Sequence, residues 1–320
     1  MRILSVKRND AGQRLDKFLT KAVKGLPASL MYKFIRTKKI KVNRHRCEQN
    51  YILKEGDEIQ LFIKDEFFGS PEQDGSVGTL ASIKPKLSIV YEDDNIILLN
   101  KRPGVLVHED TEGADNTLTM HLKAYLYQQG EYDPEGEQSF APAMCNRIDR
   151  NTGGIVIAAK NAEALRVMNQ KIKDGQVSKF YICAVHGVPK RREATLRAWL
   201  RKDSANNTVT ISDDKKQGYK EIITKYRVLR TAGDRALLEI ELVTGRTHQI
   251  RAQMAHIGHP LLGEGKYSNN RADRAEGYKY QALYAYRVRF DFSGDDCLHY
   301  LRGKQFSLGE DEIWFIKDFR

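Results

Sequence analysis

Residues 145–161 read Cys-Asn-Arg-Ile-Asp-Arg-Asn-Thr-Gly-Gly-Ile-Val-Ile-Ala-Ala-Lys-Asn, which sets Asp149 between two arginines, just ahead of a Gly-Gly pair and an apolar run. Ile155 to Ala159 is short, continuously apolar and rich in β-branched residues, the pattern of a buried strand. Gly153 and Gly154 are expected to form the turn that leads into it. Asp149 then stands on a loop held by a rigid strand, the usual setting of chemistry. A plainer explanation also exists, because Asp and Asn near Gly bond their own backbone and merely shape turns. The rest of the chain decides between the two.

At 320 residues, with 41% hydrophobic and 30% charged, the chain is neither fibrous nor disordered and is long enough for one large core and a smaller module. The opening MRILSVKRND has no apolar stretch of signal-peptide length, and nowhere do eighteen apolar residues run together, so a cytoplasmic protein is expected. Cys47, Cys145, Cys183 and Cys297 are far apart and read as buried thiols, neither a disulfide framework nor a zinc site. His256 and His259 could share a helix face near His248, but a further ligand at suitable spacing is missing and no metal is expected.

The net charge of +11 is concentrated at one end. Residues 1–64 hold sixteen Lys or Arg and six Asp or Glu, a net of +10, leaving 37 basic against 36 acidic residues elsewhere. Such asymmetry favours a polyanion, and nucleic acid over membrane, since no basic helix carries bulky apolar anchors. Leu15, Phe18, Leu19, Ala22, Val23 and Leu26 recur at helical spacing opposite Arg14, Lys17, Lys21 and Lys24, and Pro27 ends the pattern. A second helix turns Leu30, Met31, Phe34 and Ile35 inward and leaves Lys33, Arg36 and Lys39 outward. Ile40 and Val42 then alternate as a strand before an Asn43-Arg44 turn, and Ile59, Leu61 and Ile63 alternate again. A solvated charged face explains most such runs; at this charge density, shape and phosphate recognition of folded RNA explains this one better.

Arg14-Leu-Asp-Lys-Phe-Leu, Tyr32-Lys-Phe-Ile-Arg, Ile40-Lys-Val-Asn and Leu53-Lys-Glu-Gly-Asp resemble, in order and spacing, the ribosomal S4-type RNA-binding domain over residues 12–63. The resemblance implies RNA binding without base-specific readout, and the basic faces offer Arg14, Lys17, Lys33, Arg36 and Lys39 as its RNA contacts.

Residues 65–86 turn to Gly, Ser, Asp and Glu and read as a flexible linker between an RNA-binding domain over 1–64 and a larger domain over 87–320. The larger domain alternates strands with a few helices. Hairpins are expected around Asp93-Asp94-Asn95 and Ala232-Gly233-Asp234, helices over 117–129 and 162–174, strands over 179–185 and 281–292, and loops over 130–142 and 268–277. The expected class is α+β, with a catalytic domain on a mixed, mainly antiparallel sheet with flanking helices and a small α+β N-terminal domain. No Gly-rich phosphate loop follows any strand, which argues against a doubly wound fold.

Three further segments carry unusual polar content. Ser178 to Gly187 sets Tyr181 within a strand, opposite Phe180 and Ile182. Leu242 to Arg251 runs from a strand through Gly245 into a helix, with Arg246 at its start and Arg251 one turn in. His259-Pro-Leu-Leu-Gly brings Leu261 and Leu262 to a turn. Singly, each has a structural explanation. Together, Arg147-Ile148-Asp149, Lys179-Phe180-Tyr181, Thr244 to Arg251 and Gly258 to Gly263 are similar in order to the motifs of the RluA family of pseudouridine synthases, over residues 87–292.

That resemblance implies Asp149 as the catalytic aspartate, Tyr181 as the ring stacked on the target base and Arg251 as the basic partner of Asp149. It also implies Leu262 and Ile148 as walls of the uridine pocket, and Arg147 and Arg246 as RNA contacts. Asn146, Ile148 and Gly153 stand where His, Leu and Ser are usual in the family, and none of these departures removes a reacting group. The implied reaction moves the sugar from a ring nitrogen to a ring carbon of uracil and needs no cofactor. A target inside a helix must first be flipped out, which stacking offsets. Ribosomal RNA is the favoured substrate over transfer RNA, and a monomer is the default. A non-catalytic RNA-binding or ribosome-assembly factor on the same fold is the alternative; loss of Asp149, Tyr181 or Arg251 would be its mark, and all three are present. An aspartate phosphotransferase would want a second carboxylate at residue 151, which is Asn.

Overall fold

The computed structural model describes residues 1–68, 77–108 and 116–320. Strands β1 (Arg2–Ser5), β2 (Ile40–Val42) and β3 (Glu58–Leu61) form a three-stranded antiparallel sheet in the order β1-β3-β2. Helices α1 (Leu15–Ala22) and α2 (Ala28–Arg36) share a core with it. Leu15, Phe18, Leu19, Met31, Ile35, Ile40, Ile59 and Leu61 are all buried there, as their spacing predicts. Asn43 and Arg44, with φ of 51° and 67°, form the two-residue left-handed loop between Val42 and His45.

The linker reading needs correction at both ends. Asp65–Phe68 is a 3-10 turn whose Phe67 and Phe68 pack on the N-terminal core, with Phe67 edge-on to Phe34 at 6.1 Å. At the far end, Val77–Ser82 forms helix α3 with Leu80 buried, and Gln128 Nε2 donates to the carbonyls of Leu80 and Ile83 at 3.2 and 2.7 Å. Residues 69–76, the middle of that expected tether, lie outside the described residues.

The rest of the chain comprises β4 (Ile89–Glu92), β5 (Ile96–Lys101), α4 (Leu118–Gln128), β6 (Ala143–Met144), β7 (Gly153–Ala159), α5 (Ala162–Lys173) and β8 (Val177–His186). It continues with β9 (Glu193–Asp203), β10 (Thr208–Ser212), β11 (Lys220–Ala232), β12 (Arg235–Leu242), α6 (Gln249–His256), α7 (Arg271–Ala275), β13 (Leu283–Phe290) and β14 (Gln305–Ser307). An 11-stranded sheet runs β10-β9-β11-β12-β8-β13-β7-β5-β4, with β14 beside β13 and β6 beside β7. The β13 to β7 pair is parallel, whereas β8 is antiparallel to both of its neighbours. The α+β architecture is therefore as expected.

Two compact units result. One contains residues 1–86, 119–143 and 159–166, the other 87–118, 144–158 and 167–320. The first thus includes segments from beyond the expected boundary. Within it, Ser139 Oγ donates to Asp10 Oδ1 at 2.6 Å and Asn9 Nδ2 to Glu137 Oε1 at 2.7 Å. Polar contacts of this kind leave no periodic trace in a sequence.

Gly153 and Gly154 are not a turn but the first residues of β7. A Cβ on Gly153 would lie 2.3 Å from the Tyr284 ring, and one on Gly154, at φ +114°, would lie 2.2 Å from the Ala285 carbonyl oxygen. Absence of side chains is what allows β13 to lie against β7 there. Residues 268–277, expected as loop, contain α7; β9 was not expected because charged residues such as Arg197 and Arg201 break its apolar pattern, and β10 is a short run of mostly Thr and Ser. The cysteines are all free, but only Cys47 and Cys183 are fully buried, Cys145 and Cys297 being partly exposed.

Candidate active site

The Asp149 loop is fixed from two sides before any substrate is considered. On one side it is sewn to β7: Cys145 N donates to the Ile157 carbonyl at 2.7 Å, and Asn146 Oδ1 accepts from Ile157 N at 2.8 Å. Asn146, one of the departures from the family pattern, thus spends its amide oxygen on the sheet. Thr152 N donates to the Asp149 carbonyl at 3.0 Å and closes the turn. On the other side stands Lys101, at the end of β5 and 1% exposed, whose Nζ donates to the carbonyls of Arg102, Val105 and Arg150 at 3.1, 2.8 and 2.9 Å. Burial pushes its pKa down to about 7, opposed by the charge of Asp149. Three acceptors nevertheless match the three hydrogens of an ammonium.

Helix α6 delivers the partner. Thr244 Oγ1 donates to Gln249 Oε1 at 3.0 Å, Gln249 Nε2 donates to Thr224 Oγ1 at 3.0 Å, and Thr224 Oγ1 donates to Gln253 Oε1 at 2.6 Å. This buried network locks α6 onto β11. His248 enters the helix in the left-handed region at φ 52°, a conformation that costs free energy in a non-glycine residue and clusters at functional sites. Arg246 stands three residues before the helix rather than at its start.

Arg251, in the first turn of α6, donates from Nη1 to Asp149 Oδ2 at 2.9 Å. Its other edge is taken by Glu264, through Nε to Oε2 at 2.6 Å and Nη2 to Oε1 at 2.9 Å. Glu264 is fully buried and also accepts from Lys266 N at 2.7 Å. Burial works against its charge, but the bonds and charge of Arg251 prevail and hold Glu264 below the usual carboxylate range. Arg251 is correspondingly held charged: burial opposes it and Glu264, then Asp149, outweigh burial. His248 Nε2 lies 4.0 Å from Asp149 Oδ2 while its Nδ1 meets the Tyr267 hydroxyl at 2.8 Å. Burial lowers the His248 pKa against the pull of Asp149.

Tyr181 on β8 is buried, and burial together with the nearby charge of Asp149 raises its phenol pKa. The structure thus brings Asp149, Arg251 and Tyr181 together. Asp149 itself keeps its side chain 25% exposed, open to an incoming group. Leu262 is fully buried, its N donating to the Ala184 carbonyl at 2.9 Å, and Ile148, next to Asp149, is buried as well. Arg147 and Arg246 are exposed. In the other unit, Lys17, Lys33 and Arg36 are exposed too, whereas Arg14 is held by Asp16 at 2.7 Å and the Lys39 ammonium lies over the Phe34 ring at 5.2 Å. His248, His256 and His259 face Tyr267, Asp213 and the His186 carbonyl respectively. Among the described residues no group of three or more His, Cys, Asp or Glu could hold a metal ion, and no helix is long and apolar enough to cross a membrane.

A family model described as RNA pseudouridylate synthase matches residues 95–256, and one described as S4 domain matches residues 13–59. This chain belongs to the RluA family of RNA pseudouridylate synthases. A ribosomal large subunit pseudouridine synthase C of Buchnera aphidicola is 31% identical over 84% of this chain and 82% of its own length. An uncharacterised RNA pseudouridine synthase of Mycoplasma genitalium is 32% identical over 89% of this chain and 88% of its own. The structure titled human RNA pseudouridylate synthase domain containing 4 shares the fold, with a TM-score of 0.57 at 18% identity over 72% of this chain and 92% of that one. The synthase therefore converts uridine to pseudouridine in structured RNA, with RNA bound through its S4 domain.

Glu264, Lys101, His248 and Tyr267 are the residues of the synthase site that sequence reading missed. A faint signal existed for Glu264, a lone acid directly after the Leu-Leu-Gly turn. Lys101 gave none, since a lysine at the end of a strand is ordinarily solvated.

Proposed function

We propose that Asp149 carries the reaction and that the substrate is large-subunit ribosomal RNA. The observation that carries the first point is the 2.9 Å bond from Arg251 Nη1 to Asp149 Oδ2, made by a guanidinium whose opposite edge is bound to buried Glu264. The carboxylate of Asp149 attacks the sugar or the base, or removes a sugar proton, as the bond from sugar C1′ to uracil N1 breaks, and the bond it makes is broken, or the proton it takes is returned, once C5 has joined C1′. Uracil turns, C5 bonds to C1′, the C5 proton leaves and N1 gains one, so atoms and electrons balance without a cofactor. Tyr181 stacks on the flipped base, and Arg147 fills the space it left. Ile148 and Leu262 form the apolar backing. Support for ribosomal RNA comes from the name of the Buchnera relative and from the S4 domain. The division of labour we infer is RNA capture by residues 1–64 and catalysis by 87–320, in a monomer acting in a reducing cytoplasm that suits its four free thiols.

Asp149→Ala tests the assignment. Pseudouridine formation in a large-subunit rRNA transcript should fall at least about 10³-fold while RNA affinity stays within about twofold; retained turnover would sink it. Pseudouridine mapping of cellular RNA with and without the gene tests the substrate, and a missing site in transfer RNA instead would overturn that part.

A further inference from the structure

Among the described residues, none supplies a counter-charge to Lys179. Strand β8 alternates, so Lys179 and Tyr181 share one face, about 7 Å apart along the strand. Phe180 takes the other face, where Arg287 and Arg289 lie over its ring at 4.1 and 5.6 Å. With β12 and β13 on its two sides, β8 holds both side chains on a rigid backbone. The other inward lysines of this unit are satisfied, Lys101 by three carbonyls and Lys171 by Asp296 at 2.7 Å. Among the described residues, no hydrogen bond or ion pair engages the Lys179 side chain. Its ammonium instead faces the loop that leads into α6, where a Cβ on Gly245 would lie 3.9 Å from Nζ and the next residue is exposed Arg246. Burial lowers the Lys179 pKa, with no carboxylate near enough to oppose it. A partly buried cation lacking an anion is costly, and a site for a polyanion can supply one.

We propose that Lys179 binds a phosphate of the target nucleotide, forming with Arg246 a two-cation clamp on the RNA backbone beside the ring that receives the base. The inference rests on the reading of Tyr181 as that ring. An ammonium is a compact point charge with three donors, suited to phosphate oxygens. A uracil carbonyl could also accept from it, but the neighbouring Arg246 favours an anion, and salt dependence separates the two. The clamp assigns Lys179 to holding substrate, leaving bond breaking to Asp149.

The test uses the full chain and a large-subunit rRNA transcript, with pseudouridine formation measured across a salt series. Lys179→Met should raise KM roughly tenfold and reduce the slope of log kcat/KM against log salt by about 0.7 to 0.9, the value of one phosphate contact. Lys179→Arg should restore most of both. Lys179→Gln reads the same slope should the methionine variant not fold. An unchanged slope in these variants, with or without a fall in kcat, would overturn the proposal. A wild-type enzyme that modifies no ribosomal RNA would instead overturn the substrate reading, and that control is scored separately.

Discussion

In the N-terminal module Lys17, Lys33 and Arg36 stand in solvent, whereas in the catalytic sheet Arg251 is buried and bonded to two carboxylates. Exposed cations act additively on a polyanion and are screened by salt within about 10 Å. A buried one acts through fixed geometry and cannot lose a partner cheaply. On the proposed roles, the same positive charge serves capture at one end and chemistry at the other, and burial decides which.

The largest stability effect should come from breaking the buried side. Glu264→Ala leaves Arg251 short of its bidentate partner and should cost about 3 kcal/mol in urea unfolding, with turnover down roughly 100-fold; a loss below about 1 kcal/mol would erase the contrast. Glu264 also sets an acid limit. Its folded pKa is depressed, so its contribution is complete above the ordinary carboxylate range and is lost as pH falls through the lowered value. Glu264→Gln should therefore flatten the acid side of the stability profile.

Lys101 sharpens the comparison next. With a folded pKa of about 7, the unfolded chain holds a proton between about pH 7 and 10 that the folded chain sheds, so stability should rise with pH across that window. Urea midpoints at pH 7 and 9 should show that rise in the wild type and lose it in Lys101→Met. Equal slopes in both would mean that the three carbonyls keep the ammonium charged.

The smallest effect is expected at the exposed end. Replacing Lys17, Lys33 and Arg36 together by Gln should leave unfolding within about 0.5 kcal/mol and kcat within about twofold, while KM rises about tenfold and the salt slope falls. Point substitutions are preferable to deleting residues 1–64, because 119–143 and 159–166 belong to the same compact unit. An unmoved KM would show that these charges are only a solvated face.

Much of this contrast was legible in the sequence. The helices of the module followed from Leu15, Phe18, Leu19, Met31 and Ile35, since apolar spacing reports burial directly. Asp149, Tyr181 and Arg251 came from the resemblance to the RluA motifs, since singly each segment has a structural explanation, and the structure places the three near one another. Glu264 was not found, since its role exists only once a turn near 263 meets the first turn of α6. Gly153 and Gly154 were misread because a glycine pair is the same signal for a bend and for two strands in close contact; Tyr284 and Ala285, more than a hundred residues later, resolve it.

Arg251 divides its donors unequally, two to Glu264 and one to Asp149. On the role proposed for Asp149, a carboxylate that left Arg251 for a substrate would break a single bond, while two bonds to Glu264 hold the guanidinium from behind. The positive field beside Asp149 would then stay in place while its negative occupant moved, and the cation would not need repositioning between turnovers. Glu264, wholly buried and so out of reach of anything that binds at the surface, would in this way keep the site ready for the next uridine.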